Sequence, residues 1–365
     1  MTDPAYFLYH SIGQYPGKAE QMAAALGHFT DVWGAYDDAQ WPKMLTARAE
    51  FLQLWADLIG ADAGTLTSAD NVTTALYSVM GGLGERLRGK RVLIAADCFP
   101  SLHFLLAGLA PRMGFTLDTV PLRDGAFWVE DDDMLAAWGP DVGLALLTFV
   151  TSTASHRPDL ARLLAHGQAM GSFVGVDLTQ GVGIIPFSLQ ETSVDFVVST
   201  TLKWLCGTPG AGIVQMRADL IAEVTPELRG WFSQDNSFSW DLDAFAYAPD
   251  ARRFEHGTPS VMACVGSVPA LRWHAGQTGL LAHNRALTGA IIDLADAAGI
   301  RITTPRNEGQ RGGSVMLQLE DAPARVDELR GQGIYADARG TILRLSPGAI
   351  TTTEHVGRLF DALRK

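Results

Sequence analysis

The chain has 365 residues, 47% of them hydrophobic, enough for a large core and more than one lobe. Its net charge of −12 repels phosphate backbones and anionic membrane surfaces, so nucleic acid is an unsuitable partner. No stretch of about 18 apolar residues is free of charge, and the opening residues lack a basic region followed by an apolar run, so neither a membrane span nor a secretory signal is expected.

Residues 44–60 set Phe51, Trp55, Leu58 and Ile59 at the spacing of an amphipathic helix, and Asn71 is placed to cap a second helix over 73–87. Short apolar runs at 92–96, 142–150, 173–177, 196–199 and 212–216 read as buried strands. Helical stretches at 102–110 and 158–170 separate several of them, which argues for an α/β unit on a mostly parallel sheet. The acidic run 131–133 reads as a solvated loop. Residues 233–259 are polar, aromatic and turn-rich, a long connection leading to one long helix near 267–298. The remainder alternates strand and helix on a smaller scale, giving a second, α+β lobe.

Three cysteines (Cys98, Cys206, Cys264) show neither zinc spacing nor a disulfide framework, which fits a reducing cytoplasm. The nine histidines include no pair at metal-binding spacing, so no metal is expected. The glycine runs 207–212 and 181–186 lack, respectively, the Lys-Ser/Thr of a phosphate-binding loop and the third glycine of a dinucleotide fingerprint.

Lysine is scarce: five (Lys18, Lys43, Lys90, Lys203, Lys365) of the 28 basic residues. Only Lys203 lies in an apolar stretch, VDFVVSTTLKWLCGTPGAGIVQM. Ligands of parallel sheets collect at the carboxyl ends of strands. There Asp177 ends FVGVD, the Ser199-Thr200-Thr201 cluster ends DFVVS, and Lys203 follows. An acid and a lone lysine on neighbouring strand ends suit pyridoxal 5′-phosphate (PLP): the amine forms a Schiff base, and the carboxylate keeps the pyridine nitrogen protonated.

The segment VGVDLTQGVGIIPFSLQETSVDFVVSTTLKWLCGTPGAG resembles the core of fold-type I PLP enzymes of the class V aminotransferase group, most of all its kynureninase branch. The likeness continues in FLYHSIG, NVTTALYSV, DCFPSLHFLLAGL, RGWF, GTPS and IYADARGTILRLSP, in the family's order. It implies an α/β fold: a large PLP-binding domain over 16–256 on a mostly parallel sheet of the seven-stranded type, and a smaller α+β domain from 1–15 and 257–365.

By position, the resemblance makes Lys203 the Schiff-base lysine and proton shuttle, and Asp177 the pyridinium partner. Gln180 would bond the phenolic oxygen and Phe99 stack on the ring. Thr73 and Thr74, at a helix N-terminus, would hold the phosphate, with Thr200 or Thr201 supplying another hydroxyl. A homodimer with shared sites is implied, Trp231 and Thr258 completing the neighbour's phosphate site. Arg344 would grip an amino-acid substrate's α-carboxylate; as a buried arginine it needs an anionic partner. Arg339 would join it or bond Asp337. Thr151, Ser152 and Thr153 end another strand and are candidates to line the pocket.

The chain departs from kynureninases at Leu202, where they have Tyr, at Leu102, where they have Asp, and in VTSTAS, which lacks their aromatic and Gln residues. Residues 325–344 contain no cysteine, unlike cysteine desulfurases. The expected activity is PLP chemistry at Cα or Cβ of a small amino acid by transamination, elimination, epimerisation or hydrolysis. A divergent kynureninase and a non-catalytic PLP-binding protein are the alternatives.

Overall fold

The computed structural model describes residues 3–364. Seven strands form one sheet in the spatial order Leu66–Ala69, Gly212–Met216, Phe196–Thr200, Phe173–Asp177, Val142–Thr148, Arg91–Ala95 and Thr116–Val120. Gly212–Met216 runs antiparallel to both its neighbours, and the other pairings are parallel, so the sheet is mostly parallel as the alternating pattern implies.

Because side chains alternate along a strand, one sheet covers two cores. Val92, Ile94, Leu144, Leu146, Val198 and Val214 bury against Val72–Leu87 and Pro100–Met113. Leu93, Ala145, Leu147, Val174, Val176 and Val197 pack into the cluster on the opposite face. Both faces are covered, which is why these strands read as unbroken apolar runs.

The helix Val72–Leu87 begins as its sequence suggests. Asn71 Oδ1 accepts from the Thr74 N–H at 3.0 Å, and Asn71 N–H donates to Thr74 Oγ1 at 3.2 Å. Such a reciprocal cap stabilises a helix by about 1 kcal/mol. It also fixes where the first free N–H groups point, toward the carboxyl ends of the sheet.

The smaller sheet is antiparallel throughout, in the order Asp337–Arg339, Ile342–Leu345, Val315–Gln318 and Arg301–Ile302. Its core is Leu287, Ile291, Val315, Leu317, Leu343, Leu345 and Phe360, beneath the helices Leu280–Ala297 and Thr353–Leu363. The N-terminal strand Ala5–Tyr6 pairs with Ile334–Tyr335 here, and the chain then crosses to the large sheet.

Three expectations need correction. The long helix near 267–298 is two, Val261–Ala275 and Leu280–Ala297, because Gly279 adopts φ 88 between them and starts a new helix. The edge strands Leu66–Ala69 and Thr116–Val120 were not evident, having no apolar run. The acidic run is the first turn of a short helix, Asp131–Ala137, where carboxylates suit the helix dipole. Among the described residues, no helix is long and apolar enough to cross a membrane.

Candidate active site

At the carboxyl ends of the central strands lies a cavity of about 770 Å³. Thr73, Thr74, Phe99, Asp177, Gln180, Thr200 and Lys203 line it together. They come from four separate chain segments, brought together because parallel strands all end on one side. Ser152, Thr179 and Leu202 share the lining. A larger cleft of about 1100 Å³ opens beside the amino ends of the strands, at Ser172, Phe173 and Asp195, and none of the expected site residues lines it.

Lys203 is largely buried, with Nζ 5.0 Å from the centre of the Phe99 ring. Burial brings its amine down to about 8, opposed by the Asp177 charge and reinforced by Arg344 and Arg339. Asp177 Oδ1 accepts the Thr179 N–H at 2.9 Å. Burial pushes this carboxyl up, while Thr179 and the Lys203 charge pull it back. An acid and an amine, both desolvated, therefore face one cavity.

The Gln180 amide has a determined orientation. The Trp204 indole can only donate, so at 3.3 Å it faces Oε1, and Nε2 donates to the His10 carbonyl at 3.0 Å. Thr74 has committed its hydroxyl to the Asn71 carbonyl at 2.9 Å. The Thr73 side chain makes no hydrogen bond among the described residues.

Not every expected residue reaches the cavity. The Thr201 hydroxyl donates to the Ala211 carbonyl at 2.6 Å and faces Ser267, away from the lining. Trp231 and Thr258, expected to serve a neighbouring subunit's site, lie outside this chain's cavity: Trp231 packs against Phe232 and Trp41 with ring centres 4.5 and 6.2 Å away, and Thr258 is exposed. Thr151 accepts the His156 N–H at 3.0 Å and Thr153 faces solvent, so Ser152 alone of that trio lines the cavity.

Arg344 is 5% exposed and stands outside the lining, close enough for its charge to depress Lys203. Its anionic partner within the protein is Asp337: Nε donates to Oδ1 at 2.8 Å and Nη2 to Oδ2. Burial alone would raise the Asp337 carboxyl, but His10 and Arg344 outweigh it and hold the group at about 2. Arg339 is exposed and makes no ion pair among the described residues, so the partner of Asp337 is Arg344.

The family model Aminotransferase class-V matches residues 44–338. The chain belongs to that family. It is 25% identical over 352 residues to an uncharacterized aminotransferase, YcbU, of Bacillus subtilis (strain 168), covering 94% of this chain and 90% of that protein. It is 28% identical over 328 residues to a kynureninase of Geobacillus thermodenitrificans (strain NG80-2), covering 85% and 76%. The fold is also that of the cystine C-S lyase C-DES (TM-score 0.88, 22% identity, 99% and 97% covered) and of a cysteine desulfurase of Thermococcus onnurineus NA1 (TM-score 0.87, 17% identity, 99% and 94% covered). This class V protein is a PLP-dependent enzyme of fold type I.

The residues present fit that cofactor. The buried hydroxyl of Ser152, in the lining, has no hydrogen-bond partner among the described residues, and that of Thr179 has only the neighbouring Asp177 carboxylate to turn to. Burying a hydroxyl unpaired is unfavourable, so Ser152 is suited to a polar atom of a bound group. Thr179 escaped the sequence reading because nothing but its place after Asp177 marks it. His10 escaped because its ring acquires meaning only through partners more than 300 residues away, while Asp337, expected as a partner of Arg339, pairs with Arg344 seven residues on.

Proposed function

We propose that this class V enzyme acts at Cα or Cβ of a small amino acid bearing a free α-carboxylate. The observation that carries the reading is the Lys203 amine: desolvated, without a carboxylate in ion-pair contact among the described residues, and facing the cavity Asp177 also lines. Lys203 would hold PLP, which would supply an electron sink for the substrate's Cα.

The chain's own residues would do the rest. Asp177 would hold a proton on the ring nitrogen and Phe99 would cover the ring face. Gln180 Nε2, with one hydrogen spent on His10, has its second free for the ring oxygen. The N-terminal N–H groups of helix Val72–Leu87 and the Thr73, Ser152 and Thr200 hydroxyls would take the remaining polar atoms, phosphate foremost. Lys203 Nζ, lowered toward neutrality by burial, would move the proton at Cα. Trp231 and Thr258, outside this chain's own cavity, would serve a second copy in a homodimer. We place the cofactor domain at 16–256, the smaller domain at 1–15 with 257–365, and the enzyme in the cytoplasm.

The second reading, a divergent kynureninase, is favoured by the 28% identity to such an enzyme over most of the chain. Leu202 and Ser152 in the lining weigh against it, offering neither a phenol nor an aromatic contact. A sulfur-carrier role is unsupported: all three cysteines are buried and burial pushes each thiol up, to between about 11 and about 12. The purified PLP-loaded protein should change its absorption with small amino acids, with borohydride fixing the cofactor on Lys203. Rapid release of anthranilate from kynurenine would instead establish the second reading.

A further inference from the structure

His10 sits where both halves of the site meet, and it is 3% exposed. Its carbonyl takes the Gln180 amide, while its ring lies between Ser346 and Asp337. Nδ1 is 2.6 Å from Ser346 Oγ, and Nε2 is 3.0 Å from Asp337 Oδ1, an ion-pair contact in which the ring N–H is turned too far from the oxygen to make a hydrogen bond as placed. Ser346 Oγ is in turn 2.6 Å from Ser314 Oγ, whose own N–H donates to Ser155 Oγ at 3.0 Å.

The direction of every proton in this row follows from its end. A carboxylate only accepts, so the tautomer that suits the Asp337 contact carries the imidazole hydrogen on Nε2. Nδ1 must then accept, which makes Ser346 its donor. The Ser346 oxygen is left to accept from Ser314. Burial lowers the imidazole's proton affinity, against the pull of Asp337, and the neutral ring this favours is what the row requires.

Asp337 occupies one edge of Arg344, the Nε and Nη2 side. Nη1 makes no hydrogen bond to any described residue, although Arg344 is buried. The guanidinium thus has one edge tied to the protein and one end unclaimed.

We propose that His10 is a positioning residue: through Asp337 it fixes the rotation of Arg344, so that the Nη1 end is presented to the substrate's α-carboxylate. This rests on the reading of Arg344 as the carboxylate clamp. It also names the mode of contact, end-on through Nη1 and the second Nη2 hydrogen, because the side-on edge is taken by the protein's own acid. A substrate carboxylate need not displace Asp337, and its charge meets a guanidinium already half neutralised. Arg344 thereby selects by direction more than by bare attraction.

The test compares PLP-loaded wild type with His10→Phe and His10→Asn, titrating each with L-alanine and with ethylamine, its counterpart lacking the carboxylate, and reading cofactor absorbance. Wild type should bind L-alanine more tightly than ethylamine. His10→Phe should lose at least about tenfold of that preference, the scale of one misdirected charged hydrogen bond, with ethylamine binding unchanged. His10→Asn, which can still donate to Asp337, should recover part of it. Nitrogen NMR of the cofactor-free protein should show His10 with its proton on Nε2, and Ser346→Ala should weaken that preference. A preference undiminished in His10→Phe, equal weakening toward both ligands, or a proton on Nδ1 would overturn the proposal alone. A wild type that responds no better to L-alanine than to ethylamine would overturn the clamp reading with it.

Discussion

Replacing Lys203 by methionine should make the cofactor-free protein more stable at neutral pH. The ammonium is carried into a largely buried position with no carboxylate in ion-pair contact among the described residues, Asp177 supplying its only named attraction. The fall in its pKa from 10.5 to about 8, at about 1.4 kcal/mol per tenfold change in proton affinity, is a cost of about 3 kcal/mol. Below pH 8 both folded and unfolded chains hold this proton, so the whole cost is felt. Between pH 8 and 10.5 the unfolded chain binds more protons, so wild-type stability rises with pH as the folded amine goes neutral. The advantage of Lys203→Met should therefore be about 3 kcal/mol at pH 7 and under half of that near pH 9.5. Urea denaturation of both cofactor-free proteins at the two pH values measures it. A gap that is absent, or equal at both pH values, would show that the amine is not desolvated and would remove the reason given for its reactivity.

Other changes reach the site from outside. Gly13→Ala would set a methyl 1.9 Å from the Lys203 carbonyl oxygen and 2.6 Å from Cys206 Sγ, which backbone must move to relieve. It should cost about 2 kcal/mol in thermal unfolding and weaken PLP retention, both measurable by melting and dialysis. Arg48 and Glu255 form a buried pair at 2.8 Å, with Thr67 donating to the same carboxylate. Arg48→Met should cost about 3–5 kcal/mol in denaturant, and adding Glu255→Leu should restore much of it. PLP attachment to the cofactor-free protein should accelerate as pH rises through about 8 and then level off, since the neutral amine is the nucleophile; a rise continuing to pH 10 would contradict the desolvated amine.

What could be read from the sequence was what local pattern encodes. The central strands are buried on both faces, so they stand out as apolar runs, and Asp177 and Lys203 stand out because they interrupt or follow those runs. The Asn71 cap is visible because its partner is three residues away. Leu66–Ala69 and Thr116–Val120 lie at sheet edges, where one side meets solvent, and their polar residues hide them. The paired state of Arg344 was half legible. Its burial demanded an anion, but that Asp337 rather than a ligand supplies one depends on the hairpin register that sets Asp337 opposite Arg344. The His10 row was beyond reach, because His10 and Ser346 are 336 residues apart.

The path of residues 5–13 bears on how the site folds. Ala5–Tyr6 pairs with Ile334–Tyr335, Leu8 bridges Ser346, and Gly13 N–H donates to the Leu202 carbonyl beside the reactive lysine. The first two of these contacts join residues more than 300 positions apart, and contacts of such high sequence separation are slow to form. Lys203 and Asp177 follow neighbouring strands and meet through contacts of short sequence separation, whereas the wall that braces them does not. The frame that directs the reactive amine is thereby among the slower parts of the site to assemble.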